Sequence, residues 1–172
     1  GASYLFPNTY FLGMRGKLLA LKLDNSLNVT EVLDFPEVTE KIRKIVCDKE
    51  GNLWLSTQYD GIYFVRFING DIKNYSVTLL GEKNKLPQLE YTRNFIVADQ
   101  VVVATDSGIL APQFPEKGLS DSLIRFEYTK LFGDTIRKTV GEIAHFAADK
   151  YIISGNGMHF ATIGGTKKMY DT

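Results

Sequence analysis

Residues 48–67 read DKEGNLWLSTQYDGIYFVRF, and whether they form a binding site or one hairpin of a repeated unit decides the fold. The first half alternates polar and apolar positions. Tyr59-Asp60-Gly61 then supplies turn residues, and Ile62 to Phe67 is rich in β-branched and aromatic side chains, so the stretch reads as strand, tight turn, strand. Counterparts lie elsewhere in the chain. NFIVADQVVVATDSGILAPQF at 94–114 has the same layout, with Asp99 at a first turn and Asp106-Ser107-Gly108 at a second. HFAADKYIISGNGMHFATIGG at 145–165 repeats it with Asp149 and Asn156-Gly157. YLFPNTYFLGMRGKLLALKL at 4–23 is a more degenerate version, with Pro7-Asn8 and Arg15-Gly16 at its turns. The second-turn glycines, Gly16, Gly61, Gly108 and Gly157, recur at spacings of 45, 47 and 49 residues.

A period of that length with several strands per unit is the mark of a β-propeller rather than a helical solenoid. A fourth strand follows each third one: NVTEVLDF at 28–35, DIKNYSVTLL at 71–80, SLIRFEYTKLF at 122–132 and a truncated TKKMYDT at 166–172. The expected fold is all-β, a β-propeller segment of about four blades with four antiparallel strands each, forming part of a larger ring. The blades are expected at about 1–40, 41–91, 92–139 and 140–172. Middle strands such as VVVA and YII are apolar at successive positions, which fits sheets covered on both faces. PEVTEKIRKIV at 36–46 sets Glu37, Glu40 and Lys41 against Val38, Thr39, Ile42, Ile45 and Val46, and reads as loop then strand. The loops at 81–91 and 112–121 contain Gly, Pro and charges and are expected to join blades over the surface.

Composition narrows the partners. At 172 residues, 44% hydrophobic and 23% charged, the chain can bury a sizeable core. Its Lys and Arg number 20 and its Asp and Glu 20, so no bulk field draws it to nucleic acid or an anionic membrane surface. No apolar run approaches the about 18–20 residues of a membrane helix, and the stretch GASYLFPNTYFLGM lacks the basic leader of a secretory signal. Cys47 is the single cysteine, which excludes an internal disulfide and a multi-cysteine metal site. Within IRKIVCD it reads as a packed thiol.

Asp48-Lys49-Glu50-Gly51-Asn52-Leu53-Trp54-Leu55-Ser56-Thr57, followed by Asp60-Gly61-Ile62, resembles the repeat of the two-component regulator propellers. That repeat runs Asp-x-x-Gly-Asn-Leu-Trp-Ile-Gly-Thr and then Gly-Gly-Leu. The units at 94–114 and 145–165 match in outline, with Val102 and Ile152 in place of the Trp and a shortened Gly-Asn turn. The resemblance implies the periplasmic sensing region of a membrane-bound histidine kinase, often a hybrid kinase that detects glycan breakdown products in gut Bacteroidetes. It implies an oligosaccharide ligand, no cofactor, and further propeller repeats as partners; a second copy of the chain is the alternative partner, expected because a partial ring leaves the apolar faces of its first and last blades uncovered.

The repeat residues have an architectural explanation. Gly51-Asn52 supports a tight hairpin, Trp54 fills the gap between adjacent blades, and Ser56 and Thr57 are expected to hydrogen-bond across the turn to Asp60. Asp48, Asp99 and Asp149 stand at three equivalent turns and read as turn formers, since a catalytic acid has no reason to recur. GNGMHF at 155–160 has neither the third glycine nor the helix of a dinucleotide loop. His145 and His159 lack metal-ligand spacing and read as packed imidazoles. DKEGN lacks the alternating oxygen ligands of a calcium loop, and no Gly-x-Ser-x-Gly elbow occurs. No catalytic residue, metal or cofactor is assigned.

Turns between second and third strands share one rim of a propeller, so Met14-Arg15, Tyr59-Asp60, Asp106-Ser107 and Asn156 are expected to face one mouth. The candidate ligand-binding residues are Arg15, Tyr59, Asp60, Asp106 and Asn156. An aromatic, an arginine and two acids can stack on and hydrogen-bond a sugar. Taken singly, each also reads as a solvated turn residue. Three function classes follow: a non-enzymatic extracytoplasmic sensor, which leads; a propeller glycoside hydrolase or lyase, which needs converging carboxylates; and a protein-interaction scaffold.

Overall fold

The computed structural model describes residues 5–87, 89–133, 135–155 and 157–170, of which 166–170 through their backbone alone. The described chain folds into four antiparallel sheets in sequence order. The first holds β1 (Thr9–Met14), β2 (Lys17–Leu23) and β3 (Val29–Asp34). The second holds β4 (Ile42–Cys47), β5 (Leu53–Thr57), β6 (Ile62–Ile68) and β7 (Asp71–Leu80). The third holds β8 (Arg93–Val97), β9 (Gln100–Thr105), β10 (Gly108–Gln113) and β11 (Arg125–Tyr128). The fourth holds β12 (Val140–Ala147), β13 (Lys150–Gly155), β14 (Gly157–Thr162) and β15 (Gly165–Tyr170). Each is a meander whose strands pair in chain order. Among the described residues helix is confined to single 3-10 turns at Glu82–Asn84 and Asp121–Leu123, and no helix is long and apolar enough to cross a membrane.

Consecutive sheets pack face to face. The hairpin of residues 48–67 shows how, because the alternation of side chains along a strand divides β5 between two cores. Leu53 and Leu55, with Tyr63 and Val65 of β6, join Phe11, Leu18 and Phe35 from the first sheet. Trp54, with Ile62 and Phe64, joins Val101, Val103, Leu110 and Phe126 from the third. All of β5 is buried as a result. A third cluster sets Phe95, Val102, Ala104 and Ile109 against Val140, Ile143, Tyr151 and Ile153 of the fourth sheet. The leading strands β4, β8 and β12 neighbour one another in succession. The outward faces of the end sheets carry exposed apolar side chains: Tyr10, Leu12, Met14 and Val32 on the first, Phe146, Met158 and Phe160 on the fourth.

The recurring glycines have a common cause. Gly16, Gly61, Gly108 and Gly157 all take positive φ, at 69°, 86°, 137° and 108°. At Gly61 and Gly108 the chain leaving the sheet also crosses directly over the turn. A Cβ at Gly61 would lie 2.4 Å from the Leu80 carbonyl oxygen, and one at Gly108 would lie 2.0 Å from that of Ile136. Only glycine satisfies both conditions.

Three expectations need correction. Among the described residues the first sheet has three strands, not four: the chain turns at Phe6–Thr9, where Thr9 N donates to Phe6 O at 3.2 Å and Asn8 takes φ 57°. Phe6 is thereby turned into the core, edge-on to Phe67 at 4.8 Å, instead of extending a strand. The strand expected at 122–132 is reduced to β11, because Asp121–Leu123 winds into a 3-10 turn and Phe132 swings into the cluster between the third and fourth sheets. The loop at 112–121 joins β10 to β11 within one sheet and does not bridge sheets. It folds back on the second sheet, where Arg66 donates Nε and Nη2 to Asp121 at 2.8 and 2.6 Å.

Candidate functional site

Two of the second turns, after β5 and after β9, are built by one device. Thr57 Oγ1 accepts from Asp60 N at 2.9 Å and donates to Gly61 O at 3.0 Å. Thr105 does the same with Ser107 N at 3.2 Å and Gly108 O at 3.0 Å. The threonine closes the turn from inside, so Tyr59 and Asp106, between threonine and glycine, are left on the solvent side.

Two of the expected residues meet. Arg15, from the β1–β2 turn, and Tyr59, from the β5–β6 turn, line one hollow of about 550 Å3 with Thr39, Glu40, Lys41 and Gln58. The segment leading into β4 supplies three of these residues, held across the turn by Gln58 N donating to Lys41 O at 3.0 Å. Gln58 Nε2 donates to the Tyr59 hydroxyl at 2.5 Å, and the Tyr59 ring stays half exposed at 51%. Two cations against one carboxylate give the hollow a single excess positive charge. It offers guanidinium, ammonium and carboxamide donors beside an aromatic face, a set suited to hydroxyl-rich ligands.

The other expected residues stand apart. Asp60 faces a neighbouring hollow of about 320 Å3 with Glu82, Lys83 and Asn84. Asp106 lies one sheet further, where its carbonyl accepts from Thr139 Oγ1 at 3.2 Å. Asn156 lies outside the described residues. Lys41 and Gln58 escaped the sequence reading, because nothing local signals that the segment before β4 folds over the preceding turn.

The three turn acids differ. Asp48 is buried and accepts from Asn52 N at 2.8 Å, Asn52 Nδ2 at 3.2 Å and Trp54 Nε1 at 3.0 Å, an architectural role. Asp99 sits at φ 61° in the β8–β9 turn, and Asp149 is exposed. His159 is buried as expected, whereas His145 is exposed, with Nε2 2.6 Å from Ala148 O and its ring 5.0 Å from that of Tyr151. Cys47 packs half-buried against the core between the first two sheets.

A charged seam along the leading strands was also not foreseen. Lys44 Nζ on β4 lies 3.5 Å from Glu142 on β12 and 3.4 Å above the Phe95 ring on β8. Arg93 Nη1 donates to Gly141 O at 2.5 Å and stands 4.0 Å from Glu142. Burial pushes the Lys44 ammonium below its ordinary value, against the opposing pull of Glu142. Among the described residues no group of three or more His, Cys, Asp or Glu is placed to hold a metal ion. Compared with known protein families, curated proteins and solved structures, the chain matches none.

Proposed function

We propose that the four sheets are consecutive blades of a β-propeller, and that the chain is the ligand-recognition segment of a periplasmic, two-component sensor that binds an oligosaccharide without transforming it. The observation that carries the binding reading is the convergence of Arg15 and Tyr59 with Lys41 and Gln58 in one hollow at the second-turn rim. The repeat at 48–61 and the succession of leading strands support the propeller reading. The exposed apolar faces of the end sheets support a ring continued by further blades, from flanking repeats or from a second copy.

Titration calorimetry against a panel of neutral and acidic oligosaccharides tests this. A bound sugar whose affinity falls at least about tenfold, or about 1.4 kcal/mol, in Tyr59→Ala and in Arg15→Ala is the expected result. Binding that neither substitution disturbs moves the site elsewhere, and new reducing ends in the panel would replace the sensor with a hydrolase.

A further inference from the structure

Three polar side chains are enclosed in the joint between the second and third sheets, beneath the second-turn rim. Ser56, Thr92 and Asn94 are fully buried. Among the described residues, Ser56 Oγ, Thr92 Oγ1 and both polar atoms of the Asn94 carboxamide have no protein hydrogen-bond partner. They face the same interlayer. Ser56 pairs in register with Ile62, and Asn94 with Val103, so each shares a sheet face with its partner. Ile62 and Val103 belong to the one core between these sheets. Thr92 stands two residues before Asn94, on the same side of an extended chain, and β5 lies against β8.

We infer that this joint is a binding site for ordered water, bridged by Ser56, Thr92 and Asn94. Hydroxyls and a carboxamide both donate and accept, which matches the two donors and two acceptors of water. The charged groups on this side are engaged elsewhere. Lys44, the register partner of Ser56, reaches to Glu142 and the Phe95 ring. Asp48 is held at the other end of β5 by Asn52 and Trp54. An ion would therefore lack a counter-charge here. Buried polar groups in folded proteins are almost always hydrogen-bonded, and a buried water typically has about three polar partners, which the three side chains supply.

A high-resolution crystal structure of the whole chain tests the site directly. One or more waters within about 2.7–3.2 Å of at least two of the four atoms is expected. Direct hydrogen bonds among the three side chains or to backbone, with no water between them, overturn the inference, as does a coordinated metal ion. Thermal unfolding gives an independent sign. In a wet joint Asn94→Leu deprives the water of partners and lowers the midpoint, by about 2–4 °C, and the triple variant Ser56→Ala, Thr92→Val, Asn94→Leu recovers it. In a dry joint Asn94→Leu removes unpaired polar atoms and raises the midpoint, which overturns the inference. Should Asn94→Leu fail to fold, water-to-amide cross-relaxation at Ser56 and Asn94 in the unaltered chain decides: long-lived contacts support the site and their absence ends it.

Discussion

Trp54 is held from several sides at once. Its indole N–H donates to Asp48 at 3.0 Å, its ring lies 4.5 Å from Phe64, and Phe126 and Phe114 meet it edge-on at 6.5 and 5.9 Å. Trp54→Ala opens a cavity between two sheets and leaves the buried Asp48 short of a donor, so a loss of about 3–5 kcal/mol is expected in urea unfolding. Trp54→Phe, which keeps most of the volume and loses the hydrogen bond, is expected to cost about 1–3 kcal/mol. An unfolding midpoint unmoved by the alanine would contradict the packing. This residue was legible in the sequence because its acceptor and its turn lie within six positions of it, inside the Asp-x-x-Gly-Asn-Leu-Trp run. Ser56, two residues on, was read wrongly. Its hydroxyl makes no bond to Asp60 and is buried without a protein partner, on the face of β5 that meets a sheet whose strands begin more than thirty residues later, and no local spacing carries that information.

Among the elements, the second turns are the most constrained. Gly108→Ala places a methyl 2.0 Å from a backbone oxygen at φ 137°, whereas Gly118 at φ 93° has open space around it. Calorimetric unfolding should show a loss of about 1 kcal/mol for Gly118→Ala, from backbone strain alone, and more than about 3 kcal/mol for Gly108→Ala. Equal losses would mean that the crossing chain gives way freely. The seam of leading strands predicts a pH effect. Lys44 has a folded-state value lowered from 10.5, so between the two values the unfolded chain binds the proton more tightly and stability rises with pH. Lys44→Met should flatten that rise when midpoints are compared from about pH 8 to about pH 10.5; parallel profiles would refute it. Turns of this kind can be read from sequence, since positive φ restricts the residue type. Loop destinations cannot: Gly, Pro and charge look alike at 81–91 and 112–121, and it is long-range contacts, Arg66 with Asp121 and Phe114 against Trp54 and Phe64, that hold the second one back over the neighbouring sheet.

At the scale of the whole molecule, the end sheets decide behaviour in solution. With Tyr10, Leu12 and Met14 open on one face and Phe146 and Phe160 on another, light scattering of the isolated chain is expected to give a mass above the 19.4 kDa monomer. Tyr10→Lys with Phe160→Lys should restore the monomer, and a monodisperse monomer before substitution would favour a ring that closes on itself. The order of the four sheets could be read from the glycine period, but not how their outer faces are covered, because burial of a face depends on a neighbour that periodicity does not name. The division of β5 between two cores carries a further consequence, for how such a chain can change over time. Loss of one residue inside β5 would rotate every following side chain to the opposite face, sending Trp54 or its successors into a core shaped for leucine. A strand used on one side only can absorb such a slip by exposing what it buried; β5 has no solvent side to receive it. Length variation in this chain is therefore confined to its turns and connectors, and its doubly covered strands can vary only by exchange of one side chain for another.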